Sequence, residues 1–380
     1  MNNHLLSMES LRDKYGEFID SCHVDEIGYK LSVKSDVSPY ALCFAIFGKY
    51  LIGDNIFLLA NKDFFDHLLR KNISKKRSEC ISNLHLSKPY LQLFTFTLSA
   101  LKIINTLSGD PLREFTLEII RNNPNGIIKN AGTFYGKPGT GNLSMFYGIL
   151  LIHAHENLSN NMESEINFWV KSHVESMNIN GFWGKHNSKA YLQFQNGYHQ
   201  YEILDYLGVL INFDASKLVL SLADNSGRFA PYPGGGSCYD YDAIYMLTRV
   251  NSNLNSEIID KTLSSILLSI NPDNGFCESQ SIRPLNFTNI LAIIAHISSS
   301  NKASFYERTR IGMSLIRPKN NKISTHWSHY SREWSESNLW DAWFRILAIA
   351  RIRIYNQIDP LEKWGFINFP GIGYHVGFKK

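Results

Sequence analysis

The sequence has little charge, no cysteine-pairing motif and no long apolar run. Charged residues make up 19% of the 380-residue chain, with 38 Lys+Arg against 34 Asp+Glu. Nucleic-acid-binding domains concentrate basic charge on one face, and so small an excess argues against that class. The one basic cluster, Arg70, Lys71, Lys75, Lys76 and Arg77, reads as a solvated helix end. Five cysteines (22, 43, 80, 238 and 277) are odd in number and form no CxxC, which predicts reduced thiols in a cytoplasmic protein. Met1 to Glu9 show no charged head followed by an apolar stretch, so no signal peptide is expected. A membrane span needs about 18 consecutive apolar residues. Runs such as Gly148 to Ala154 stop well short of that, at His155. No nucleic-acid partner and no membrane span are expected.

What the chain has in quantity is aromatic residues: 23 Phe, 19 Tyr and 7 Trp. On that scale they fill a large core or line a pocket. Apolar segments rich in them recur along the chain, each after a polar or glycine-containing turn. They begin at Ser38, Lys88, Gly141, Gly197, Ser237, Asn286 and Ser337, spaced 40 to 56 residues apart. Being apolar nearly all round, they read as buried helices. Amphipathic stretches between them, such as Ser164 to Met177 and Glu257 to Ile270, suit an outer layer. Strand signals are weak. The pattern predicts an all-α chain of about six to seven helical hairpins closed into an α/α toroid. It forms one domain over 1–380, with residues 1–36 as a helical lead-in and 351–380 as a tail. In such a ring the inner helices share a direction. Their N-termini then meet at one rim, where an anionic group would be favoured.

Three junctions carry a glycine-aromatic turn: Asn178-Ile-Asn-Gly-Phe-Trp183, Asp224-Asn-Ser-Gly-Arg-Phe229 and Asn271-Pro-Asp-Asn-Gly-Phe276. These resemble the turns of the squalene–hopene cyclase and protein-prenyltransferase β-subunit superfamily, whose catalytic domains are α/α toroids. The resemblance covers residues 38 to 350 through short motifs, and the Gln–Trp signature of triterpene cyclases is not reproduced. The sharpest match runs from Gly227 to Ala243. Asp240-Tyr241-Asp242-Ala243 stands where class II terpene cyclases carry D-x-D-D, with Ala243 replacing the last aspartate. The resemblance implies that Asp242 protonates an alkene or epoxide and that Asp240 supports it. The same stretch is similar to the zinc turn of protein prenyltransferases at Cys238-Tyr239, with Gly236 in place of its aspartate and His296 as a distant nitrogen donor.

That chemistry needs a carboxylic acid kept protonated in a dry pocket, and π-faces for the carbocations that follow. Asp242, Asp240, His199, Tyr239 and Glu202 are the candidate catalytic residues. His199 and Glu202, one turn apart, read as a pair orienting an imidazole. The bland alternative for Asp240 is a capping box with Ser237 at the N-cap. Candidate substrate-binding residues are Trp183, Tyr198, Lys137, Asn142, Asn286, His326 and Trp340. Lys137 and Asn142 belong to a glycine-dense loop, Gly132 to Asn142, which is not a Walker A loop but could hold an anion. His326 and His329 also fit a metal pair without a convincing third ligand, and His153 and His155 read as core or lining histidines. The expected function is acid-initiated cyclisation or isomerisation of an apolar or prenylated small molecule in an aromatic-lined central cavity. No cofactor is required, though zinc or magnesium remains open. Alternatives are a carbohydrate-active toroid, a glycoside hydrolase or polysaccharide lyase acting through the same acids or through His199 and Tyr239, or a non-catalytic ring that binds a ligand or protein.

Overall fold

The computed structural model describes residues 8–79, 87–108, 112–122, 137–185, 189–211, 213–249 and 256–375. The chain is mostly helical, as expected. The only strands among the described residues form two short antiparallel ladders, His23–Val24 with Gly28–Tyr29 and Lys322–Ile323 with Arg332–Glu333.

Six helices form the centre: α2 (Pro39–Leu51), α5 (Lys88–Ile103), α7 (Thr140–Asn157), α9 (Ala190–Tyr206), α11 (Ser237–Thr248) and α15 (Leu339–Tyr355). Each packs on the next, and α15 returns to pack on α2, so the contacts run in a closed cycle. Their sequences explain why they sit inside. In α5 every residue from Tyr90 to Leu101 is buried, and in α15 every residue from Leu339 to Ile352. Helices buried on all sides need neighbours on all sides.

Their starts are fixed locally. Ser38 and Ser87 accept from the Tyr40 and Tyr90 N–H groups, with Pro39 and Pro89 in the first turns, and Asn338 accepts from the Asp341 N–H. Helices α7 and α11 instead start from Gly139 and Gly236, whose φ values of 80° and 75° suit glycine. The other helices flank the cycle. These are α1 (Met8–Ser21), α3 (Asn55–Ala60), α4 (Lys62–Glu79), α6 (Leu112–Asn122), α8 (Glu163–Glu175), α10 (Ser216–Leu220) and α12 (Ser256–Leu267). Each packs on at least one central helix.

The three glycine-aromatic turns share one backbone pattern. In each, the first residue's N–H donates to the carbonyl four residues on: Asn178 to Phe182 (2.7 Å), Asp224 to Arg228 (2.8 Å) and Asn271 to Gly275 (2.9 Å). In each, the fourth residue has positive φ: Gly181 (74°), Gly227 (79°) and Asn274 (65°). The sixth residue, Trp183, Phe229 or Phe276, is fully buried.

Three boundaries differ from expectation. The segment read from Gly197 lies inside α9, which begins at Ala190, so Tyr198, His199 and Glu202 stand within the helix and not at its start. The Asn286 segment, α13 (Phe287–Ser298), stands outside the cycle and pairs with α14 (Phe305–Leu315). Its apolar pattern is that of the central helices, but most of its apolar side chains face outward. The expected tail at 351 begins inside α15, and the residues after that helix are not loose: Trp364, Ile367 and Phe369 are buried in the core.

Helices α7 and α9 approach each other closely at Gly141. The Gly141 N–H donates to Asn196 Oδ1 (3.2 Å) and Gln200 Nε2 donates to the Gly141 carbonyl (2.8 Å). A Cβ on Gly141 would collide with the Asn196 backbone. Gly141→Ala is therefore expected to lower stability by about 1–3 kcal/mol, read by chemical denaturation.

Candidate functional site

The acidic pair on α11 separates into two unlike groups. Asp240 is fully buried and ion-paired to Arg228 Nη1 at 2.6 Å and to Arg345 of α15, and it accepts from the Phe229 N–H (2.9 Å). Its carboxylate is fully engaged, so it is a structural tie and not a free acid. The capping box is not formed either. Gly236 is the N-cap, and Ser237 Oγ donates to Asp341 instead.

Asp242 lies half a turn further and points elsewhere. It is 4% exposed, and its Oδ1 is buried without a hydrogen-bond partner among the described residues. Burial, with Glu202 and Asp240 adding to it, pushes its carboxyl well above the usual range, which favours the protonated form. Cys238, one turn up, is half-buried. Burial and then Asp242 push its thiol well above the ordinary value, which makes it an unreactive thiol.

Below Asp242 sits a second buried acid. Glu202 of α9 accepts from the Tyr198 hydroxyl (2.5 Å) through Oε1, while Oε2 is unpartnered among the described residues. Burial raises Glu202 to about 8, against the opposing pulls of Tyr198 and Arg351. Tyr198, Tyr241 and Tyr245 surround these acids, with ring centroids 5.4 to 6.3 Å apart, and Phe344 meets Tyr241 at 5.5 Å. All three tyrosines are fully buried, so here the aromatics fill the interior.

Above Asp242 the surroundings turn polar. Asn142 Nδ2 donates to His199 Nε2 (2.8 Å), and His199 Nδ1 is buried without a partner among the described residues. Burial and then the nearby Lys88 ammonium push His199 down to about 3, so its imidazole is neutral. The expected His199–Glu202 pair is not made, because Glu202 bonds to Tyr198. Lys88, the first residue of α5, is half-buried. Burial lowers its pKa, and no described carboxylate pairs with it. Sequence reasoning missed this residue. The available signal was a lysine in the first turn of a helix, where the dipole disfavours a cation.

The other expected residues divide. Trp340 meets Trp327 at 4.3 Å with the rings tilted by 41°, and His326 Nε2 bonds to Gln92 Oε1 (2.7 Å), one turn from Lys88. His326 and Trp327 also edge a cleft of about 750 Å³ between α2, α4 and the 325–329 loop, whose other wall carries Lys71, Lys75 and Lys76. In the basic cluster, Arg70, Lys76 and Arg77 pair with Asp66, Glu79 and Glu118, as a solvated helix face does.

Tyr239 turns its ring towards Tyr191 and Tyr232. Trp183 is a repeat-turn aromatic, with Nε1 donating to the His173 carbonyl (2.9 Å), and does not reach the Asp242 group. Lys137 is exposed; its carbonyl accepts from Thr140 Oγ1 and Asn196 Nδ2 (2.8 Å each), while Gly132–Gly136 lie outside the described residues. Asn286 is exposed and caps α13. His153 is buried beside Phe369, and burial pushes it down to about 4, the behaviour of a core histidine. Cys238 and His296 are not brought together, since His296 Nδ1 meets Asp224 Oδ2 (3.2 Å). Among the described residues no three His, Cys, Asp or Glu are grouped to hold a metal, and no helix is long and apolar enough to cross a membrane. The four described cysteines, Cys22, Cys43, Cys238 and Cys277, are free.

Two substitutions separate the acids. Asp240→Asn leaves two buried arginines short of charge and is expected to cost about 3–5 kcal/mol, whereas Asp242→Asn should leave stability unchanged or raise it. Thermal melts compare them. Glu202 gives a pH signature. Its folded pKa is raised, so the folded state binds the extra proton. Its contribution is complete below pH 4.5 and is lost as pH rises towards about 8, at about 1.4 kcal/mol per pH unit. Glu202→Gln should flatten that limb of the stability–pH curve.

No protein-family model matches this sequence, and neither the curated proteins nor the solved structures include a match.

Proposed function

We propose that the closed cycle of helices is an α/α toroid and that the protein is a terpene-cyclase-like enzyme. It would carry out acid-initiated cyclisation or isomerisation of an apolar or prenylated small molecule. The observation that carries this reading is Asp242: a buried, unpartnered carboxyl beside a second buried acid, ringed by tyrosines. A carboxyl held neutral at pH 7 is a proton donor in waiting, and it needs no metal to become one.

In the proposed reaction the Asp242 proton adds to an alkene carbon. The resulting cation forms a new C–C bond or shifts a hydrogen, and then loses a proton, so no oxidant or reductant is consumed. Tyrosine faces stabilise the cation. Glu202, also protonated at neutral pH, keeps a second carboxylate from forming next to it and quenching it. Lys88 at the start of α5 supplies a cation without a counter-ion, suited to an anionic head group on the substrate, with Asn142 and His199 beside it as neutral donors.

A glycoside hydrolase requires a free carboxylate opposite its acid. The salt-bridged Asp240 does not fill that role, and this weighs against the carbohydrate alternative.

The test is a mass-spectrometric product assay with polyprenyl diphosphates and related polyenes, with and without magnesium and zinc. Wild type should give a cyclised or rearranged product. Asp242→Asn should lose it by at least about 100-fold, the lower end for a general acid, while keeping its melting temperature. Lys88→Met should raise KM for diphosphates more than for uncharged polyenes. Absence of product from every polyene, with both proteins folded, would overturn the cyclase assignment.

A further inference from the structure

The α13–α14 hairpin puts its apolar residues on the outside. Helix α13 has no Asp, Glu, Lys or Arg between Phe287 and Ser298. Yet Phe287 is 76% exposed and Ile294 55%, and Leu291 is exposed between them. On α14, Phe305, Tyr306 and Met313 are exposed as well. A contiguous face of this kind is uncommon on a protein surface unless something covers it.

The hairpin is held to the body by polar contacts at its inner edge. Arg308 is fully buried; it donates to Tyr191 Oη (2.9 Å) and to the Leu222 carbonyl (2.8 Å). The Tyr191 N–H donates to Glu307 (2.9 Å), and His296 meets Asp224. The fold is therefore anchored without using the outer apolar face.

The charges around that face are of one sign. Between Leu285 and Asn320 the exposed charged residues are Lys302, Arg310, Arg317 and Lys319. None of the four has an ion-pair partner among the described residues. Glu307, the only carboxylate in the stretch, is buried and bonded to Tyr191.

We propose that this hairpin docks the protein on an anionic lipid surface. A twelve-residue helix is about 18 Å long, too short to span a bilayer but long enough to lie in its interface. Phe287, Phe305 and Tyr306 supply the aromatic residues that favour the headgroup level, and the four cations supply attraction to anionic lipid. A symmetric dimer through the same face would bring two such sets of cations together, which disfavours a second copy as the occupant. Tyr191, which holds the hairpin's inner edge, lies in the first turn of α9.

The experiment is co-flotation of the full chain with vesicles of phosphatidylcholine alone and of equimolar phosphatidylcholine and phosphatidylserine, at low and high salt. Light scattering reports the oligomeric state in parallel. Wild type is expected to float with the mixed vesicles at low salt and to be released by high salt. Phe287→Glu/Ile294→Glu changes only exposed side chains. It should reduce binding at least tenfold, roughly, with no change in melting temperature. Arg310→Glu/Arg317→Glu should weaken binding to the mixed vesicles by about fivefold or more for each cation lost. No flotation at low salt, or flotation that neither double substitution alters, overturns the proposal. A dimer that Phe287→Glu/Ile294→Glu dissociates, without vesicle binding by wild type, assigns the face to self-association instead.

Discussion

The link between α11 and α15 through Asp240 is the constraint on which the interior depends. One carboxylate joins three pieces of chain: the Gly227-Arg-Phe turn, helix α11 that bears it, and helix α15 through Arg345. Buried charges are tolerated only when fully paired, so the three pieces must come together in one arrangement. That arrangement aims Asp242 inward, because residues two apart on a helix point roughly 200° apart. The structural acid therefore sets the direction of the unpaired one.

The same logic explains why Asp242 and Glu202 can remain uncharged. Of the charged groups nearby, Arg249 is matched by Asp205, which also accepts from the Tyr245 hydroxyl, while Arg351 donates to Thr248 and lies over the Tyr245 ring. Burial among tyrosine rings outweighs the pull of Arg351 on Glu202, and it raises both carboxyls. The polar groups above them, Asn142, His199 and Lys88, differ in kind. Lys88 and Asn142 sit in the first turns of α5 and α7, where backbone N–H groups remain available, whereas His199 stands midway along α9.

Much of the architecture was legible in the chain. Segments apolar on every side located the six central helices, and the glycine-aromatic turns marked equivalent corners, although the third places Asn274, not a glycine, at the positive-φ position. The same signal misplaced α13, since an all-apolar helix looks identical whether its neighbour is protein or something outside the chain. The site was only half visible. The D-x-D spacing separated two faces, but which aspartate is paired depends on Arg228 and Arg345, 12 and 105 residues away. Lys88 offered one signal, a cation in the first turn of a helix, but its burial is decided by side chains from other helices. Trp183 had the composition of a pocket residue, and only the turn's hydrogen bonds assign it to the repeat corner.

The closed cycle also bears on how the protein is made. Helix α15 packs on both α11 and α2, so the last central helix to emerge completes contacts with the first, which begins about 300 residues earlier at Pro39. Until Leu339–Tyr355 has left the ribosome, α2 and α11 each lack a neighbour, and Phe44, Phe47 and Tyr241 lack the Trp343 and Phe344 rings that they meet in the folded chain. Long-range closure of this kind is slow and leaves apolar surface open in the meantime. The nascent chain is thus a natural client for chaperones through most of its synthesis, and a stop before residue 339 would leave an open arc of helices.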